Sequence, residues 1–198
     1  RMDTVKFFGE KLKKRMDLTH ENVLETWYRD IIERFKSGPC VEVLDSMDSM
    51  VCLAELKRSE GNSEKGSYGT DKAKVNSSMI RLAHNALARH GSILVIISQS
   101  RMNIGFGSQF SPETRSGGTA LRFYADAEVW FKVKGKIKRN VLGKPRVVGA
   151  VLKATVHKNR ETGNEPSVEI HHYRSLGFDD LGGVVSWLVD EGAWKGKR

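Results

Sequence analysis

The sequence predicts an α/β protein, and three observations carry that reading. Two short apolar runs, Cys40–Leu44 and Ile93–Ile97, have strand length and each follows a segment whose apolar residues recur at helical spacing. The first run ends on an acid, Asp45, and the C-terminal tips of strands are where open α/β sheets present ligand-binding groups. From residue 127 onward the pattern changes to alternation with aromatic and β-branched residues, which reads as strands.

In chain order, Val5, Phe7, Phe8 and Leu12 among lysines predict a short amphipathic helix within Arg1–Arg15. Thr19 is the predicted cap of a second helix carrying Val23, Leu24, Trp27, Ile31, Ile32 and Phe35 inward, stopped by Ser37-Gly38-Pro39. The strand to Asp45 follows. Residues 55–74 hold five basic and four acidic residues with Gly and Ser and no periodicity, so they are expected to form a mobile loop. A helix to His90 then has Val75, Met79, Leu82, Ala83, Ala86 and Leu87 inward. Lys74, Ser77 or Ser78, and Arg81 stack on another of its faces as a polar, cationic stripe that could hold phosphates. Gly91 ends this helix. The buried-looking strand Ile93–Ile97 delivers Ser98 and Gln99 into a Gly-rich basic loop, 100–118. Strands are expected over 127–133, 146–156 and 167–173, and a last helix from Asp179 or Asp180 with Trp187 packed.

At 198 residues the chain fits one domain of ordinary size, and 39% hydrophobic with 29% charged residues is the balance of a soluble protein. No apolar run approaches the roughly 20 residues of a membrane span, and no secretion signal is visible. Cys40 and Cys52 lack metal-site spacing, read as packing residues and fit a cytoplasmic setting. The adjacent His171 and His172 point to opposite faces of a strand and cannot chelate together. The net charge of +9 is localised: ten Lys or Arg and no acid lie between Val129 and Arg160, against 23 basic and 24 acidic residues elsewhere. Such a stretch suits a polyanion, or simply a solvated hairpin.

Two further segments are specific. Gln99-Ser-Arg-Met-Asn-Ile-Gly105 and Ser111-Pro-Glu-Thr-Arg-Ser-Gly-Gly-Thr-Ala-Leu-Arg-Phe-Tyr-Ala125 closely resemble the second DNA-binding loop, with its flanks, of the RecA family of recombinases. The resemblance extends to Asp45-Ser46 as a Walker B tip, Lys158-Asn159-Arg160 and Gly192-Ala-Trp194. It covers most of the chain, and divergence elsewhere suggests a phage- or prophage-type member.

The resemblance implies a P-loop ATPase core with a mostly parallel central sheet flanked by helices and a C-terminal antiparallel extension. It implies an ATP-driven filament on single-stranded DNA that pairs it with double-stranded DNA and exchanges strands. Asp45 would organise Mg²⁺ and Gln99 would sense the terminal phosphate. Arg122, Phe123, Lys158 and Arg160 would contact the ATP of a neighbouring subunit. DNA contacts map onto Arg101, Met102, Ile104, Gly105, Gly117, Gly118 and Thr119, and onto Lys74, Ser77 and Arg81 beside the first loop.

Departures qualify this picture. The sequence contains no GxxxxGK[ST] phosphate loop and no strand carrying the family's water-activating glutamate, so the expectation is a fragment lacking the N-terminal part, inactive as an ATPase alone. Glu128 stands where a basic residue is frequent. The competing readings are a non-catalytic DNA-binding or oligomerisation module of the same fold, and a metal nuclease using Asp45 and Asp48. The nuclease is poor because no further carboxylate or histidine suits a second metal site.

Overall fold

Two helices open the chain: α1 (Thr4–Lys13), broken at Gly9, and α2 (Leu24–Ser37). The computed structural model describes residues 4–61, 70–102, 113–115 and 118–195. The chain divides into two compact units, Thr19–Ala125, and Arg1–Leu18 with Asp126–Arg198.

The Thr19–Ala125 unit is built on the α2 stripe. Leu24, Trp27, Ile31 and Phe35 are buried, as their spacing predicts, and Tyr28, not expected inward, is buried with them. The helix begins later than Thr19. Val23 is its cap residue, and Glu21 Oε1 accepts the N–H groups of Asn22 and Val23 at 2.8 and 2.7 Å. The chain at Val23 pairs with Val51, with Leu24 N–H donating to Val51 O and Val51 N–H to Asn22 O, both at 2.8 Å. This tertiary pairing overrides the local capping preference of Thr19.

Strand β1 (Val41–Asp45) runs parallel to β2 (Ile93–Ile97), with Val41 opposite Ile93 and Asp45 opposite Ile97. Leu44, Leu94 and Ile96 face the core with α2 and α4 (Thr70–His90). The other face differs from the expectation of a buried strand: Val41, Val43, Ile93, Val95 and Ile97 are exposed. Between β1 and α4 lies α3 (Leu53–Ser59), which overlaps the start of the segment expected to be a loop. Seven residues are too few to show a period. The helix is held by carboxylates: Glu55 Oε2 accepts Cys52 N–H at 2.9 Å, and both Glu25 oxygens accept Leu53 N–H at 3.1 Å. Arg58 of α3 pairs with Asp71 of α4. The predicted loop thus has helix at both ends, and its centre, 62–69, lies outside the described residues.

On α4, Asn76, Ile80, Ala83 and Ala86 are buried, whereas Leu82, expected inward, is exposed. At about 100° per residue, Leu82 is some 200° around the helix from Ile80. Asn76 Oδ1 accepts the Tyr28 hydroxyl at 2.9 Å, and both side chains are wholly buried. Burial pushes the Tyr28 phenol well above its ordinary pKa of 10.0. Below that pH the phenol is neutral in folded and unfolded chains. Above it the unfolded chain ionises first, and this group lowers stability by up to about 1.4 kcal/mol per pH unit. Tyr28→Phe is expected to cost about 1 kcal/mol at neutral pH. It should also make the alkaline decline shallower in urea titrations compared at pH 9 and 11, and an unchanged decline would refute the assignment.

The unit's remaining elements are β3 (Ser100–Met102), β4 (Glu113–Arg115) and α5 (Thr119–Tyr124). The other unit is antiparallel. Strands β5 (Ala127–Val141) and β6 (Lys144–Asn159) form a hairpin longer than the alternation predicted, turned by Leu142 and Gly143 with φ of 52° and 72°, a type I′ pattern. Strand β7 (Ser167–Tyr173) pairs with β6, and β8 (Gly177–Phe178) with β7. Helix α6 (Asp180–Asp190) is capped by Asp179, whose Oδ1 accepts Gly182 N–H at 2.9 Å. Trp187, expected to pack, is exposed. The fold is mixed α/β, with a parallel pair, an antiparallel pair and a four-stranded antiparallel sheet among the described residues.

Candidate functional site

Parallel pairing in register brings the C-terminal ends of β1 and β2 to one edge. Asp45 ends β1 opposite Ile97, and Ser98 and Gln99 follow directly. The Asp45 and Gln99 residues are exposed there, so the two sequence-predicted nucleotide groups share one edge of the sheet. The Asp45–Ser46 peptide is cis and leads into a single 3₁₀ turn, Met47–Ser49.

The carboxylate of Asp48 in that turn is the centre of the edge. Its Oδ2 accepts Gln99 N–H at 2.7 Å and the Ser98 hydroxyl at 3.2 Å, and its Oδ1 accepts Arg101 Nη2 at 3.1 Å. The Asp48 side chain is 8% exposed and that of Arg101 62%. Nearby, Lys72 donates to Met50 O at 2.6 Å. Burial lowers the Lys72 pKa, while Glu55 and Asp48 act in the opposite direction. Sequence reasoning weighed Asp48 only as a nuclease ligand and missed Lys72. The available signal for Asp48 was a charge three residues beyond a strand-tip acid.

Arg101 lies in β3, whose residues Ser100, Arg101 and Met102 pair with Arg115, Thr114 and Glu113 of β4. Both flanks of the stretch 100–118 are therefore joined in an antiparallel ladder, where the sequence suggested no regular structure. Ile104, Gly105 and Gly117 lie outside the described residues.

Gly118 caps α5 at a φ of 77°, and a Cβ there would stand 3.0 Å from the Cβ of Ala73. Glycine meets both demands, left-handed backbone and close approach. The approach sets Gly118 against Ala73 in the first turn of α4, the residue before Lys74. Lys74, Ser77 and Arg81 are exposed at positions i, i+3 and i+7, so they share a helix face; Lys74 Nζ lies 4.0 Å from Asp71. Arg122 and Phe123 are exposed on α5, with the Phe123 ring edge-on to Tyr124 at 5.1 Å.

Lys158 and Arg160 belong to the other unit. Lys158 is opposite Glu128 in the β5–β6 ladder, and Arg160 Nη1 lies 3.6 Å from Asp126 Oδ1. The acid at Glu128 thus faces a lysine across the strands. Farther along the hairpin, Lys132 is opposite Lys153 and Arg139 opposite Arg146, like-charge pairs that concentrate positive charge. Among the described residues no group of three His, Cys, Asp or Glu could hold a metal ion by itself, and no helix is long and apolar enough to cross a membrane.

Comparison with known proteins gives the family of the chain. The family described as RecA N-terminal domain matches residues 26–177. The chain is 31% identical to Protein RecA of Geobacter metallireducens over 162 residues, covering 78% of the chain and 44% of that protein. Protein RecA of Rhodospirillum rubrum is 32% identical over the same share of the chain and 41% of its own length. Protein RecA of Francisella tularensis subsp. novicida is 29% identical over 91% of the chain and 49% of its length. The chain therefore spans less than half the length of these relatives. With a family match over residues 26–177, the chain belongs to the RecA family.

Proposed function

We propose that this chain is part of an ATP-driven recombinase that assembles as a filament on single-stranded DNA and exchanges strands with double-stranded DNA, in the cytoplasm. The observation that carries this reading is the shared edge of Asp45 and Gln99, with Gln99 joined through Asp48 to Arg101. A nucleotide-facing pair and a DNA-facing cation are linked within a few residues, the connection a nucleotide-controlled DNA grip requires.

The residues fit Mg²⁺ in the manner usual beside nucleotides. One carboxylate at a strand tip suffices when phosphate oxygens and water supply the other ligands, and Asp45 is exposed at such a tip. Bound there, Mg²⁺ would neutralise phosphate charge. The Gln99 side-chain amide donates a hydrogen bond to the terminal phosphate, and a change in its backbone passes to the ladder that begins at Ser100. Lys158 and Arg160 place positive charge on the ATP of a neighbouring subunit, with Arg122 and Phe123 completing that contact. Lys74, Ser77, Arg81, Thr119 and Arg101 hold DNA phosphates. Glycine at position 118 would let a backbone N–H approach a phosphate closely and Met102 would meet a base face, and Gly105, Gly117 and Ile104 belong to the same proposed DNA contact.

ATP hydrolysis by the full-length polypeptide, measured with and without single-stranded DNA, tests the proposal. DNA-stimulated hydrolysis is expected. DNA binding without hydrolysis would favour a non-catalytic module instead. The phosphate contacts also have a salt signature: log K should fall linearly with log salt, and each of Lys74→Ala, Arg81→Ala and Arg101→Ala should flatten the slope by about 0.7. Slopes identical to that of the unsubstituted protein would remove these residues from the interface.

A further inference from the structure

We infer that Asp48 is a positioning residue that couples the phosphate-sensing end of β2 to the DNA-contacting arginine, by holding Gln99 N–H, the Ser98 hydroxyl and the Arg101 guanidinium on one carboxylate. The inference rests on the proposed roles of Gln99 and Arg101. It adds a device that neither role requires: an acid that competes with DNA phosphate for the arginine.

The geometry sets the direction of the effect. Asp48 is almost wholly enclosed and Arg101 mostly exposed, so the carboxylate is the fixed partner and the guanidinium the movable one. The two oxygens divide the work, Oδ2 toward β2 and Oδ1 toward the arginine. When the Gln99 side chain reaches for a terminal phosphate, its backbone N–H, 2.7 Å from Oδ2, moves with it. The shared carboxylate shifts or turns, and its hold on Arg101 weakens. A guanidinium leaving a carboxylate then meets a phosphate with the same hydrogen-bonding fork. Without nucleotide, Asp48 retains Arg101 and DNA binding is weak. With nucleotide, Arg101 is free to bind DNA.

The experiment uses Asp48→Asn in the full-length polypeptide. Asparagine is nearly the same shape and keeps an oxygen for Gln99 N–H and Ser98, but it loses the charge that holds Arg101. Affinity for an oligothymidylate without nucleotide should rise about 3- to 10-fold at fixed salt, the range of a partly enclosed charged hydrogen bond. Affinity with a non-hydrolysable ATP analogue should change less than about twofold, so the enhancement by nucleotide shrinks. Removing an acid near DNA for any other reason would raise both affinities together, and an unchanged ratio would overturn the inference.

Arg101→Gln separates this failure from failure of the underlying reading. It should abolish the gain produced by Asp48→Asn while weakening analogue-bound binding in both backgrounds. If Arg101→Gln weakens binding equally with and without the Asp48 substitution in every nucleotide state, Arg101 contacts DNA but the coupling is wrong. If it has no effect in any state, the DNA role of Arg101 fails and the inference fails with it. Should Asp48→Asn not fold, Ser98→Ala is expected to change the ratio in the same direction by a smaller factor, and an unchanged ratio there counts against the coupling.

Discussion

Replacement of Asp45 by asparagine in the full-length polypeptide is expected to reduce single-strand-stimulated ATP hydrolysis by about 10²- to 10³-fold, the usual cost of removing one preorganised electrostatic group from a reaction centre. Asparagine preserves the size of the side chain and removes its charge. Asp45 is exposed at the end of β1, so the substitution leaves the core of Leu44, Ile96 and α2 untouched and stability should change little. Steady-state phosphate release provides the rate, and a thermal melt confirms folding. Hydrolysis within a few-fold of the unsubstituted rate would exclude Asp45 from the nucleotide site.

A loss on the order of 10³-fold is expected when Lys158 and Arg160 are both replaced by alanine, if they supply the cations of a neighbouring subunit's site. Arg160 faces an exposed Asp126, and such surface pairs contribute about 0–1 kcal/mol, so misfolding is a poor explanation for a large kinetic defect. The trans arrangement has its own signature. Mixing the Lys158→Ala/Arg160→Ala chain with the Asp45→Asn chain restores complete interfaces, each using Asp45 from one parent and both cations from the other. Hydrolysis by the mixture should exceed that of either parent at the same total concentration. No recovery would mean that the cations act within their own subunit or not at all.

Periodic and local features were legible in the sequence. The α2 stripe from Leu24 to Phe35 gave its buried face directly, and the acid at Asp45 with the polar pair after Ile97 marked the sheet edge that carries the candidate site. The Gly118 position, expected as a DNA contact, also has a structural reason to be glycine, its left-handed backbone beside Ala73. Tertiary partners were not legible. Asn76 falls four residues before Ile80 and hence on the buried face, but beside Lys74 and Ser77 it resembles part of a solvated stripe until Tyr28 is found opposite it. Thr19 has the chemistry of a cap and loses to pairing between Val23 and Val51. Asp48 looked like one more acid in a methionine-rich turn. Its role depends on three donors about fifty residues away, a relation that no spacing rule reports.

The central claim is that nucleotide, sensed at Gln99, controls the grip on DNA. Salt-matched affinity of the full-length polypeptide for single-stranded DNA, with and without a non-hydrolysable ATP analogue, tests it most directly. The analogue is expected to tighten binding by at least about tenfold, within the usual range of coupling between two sites, and Gln99→Ala should retain the basal affinity while losing the gain. Equal affinities with and without the analogue in the unsubstituted protein would contradict the account.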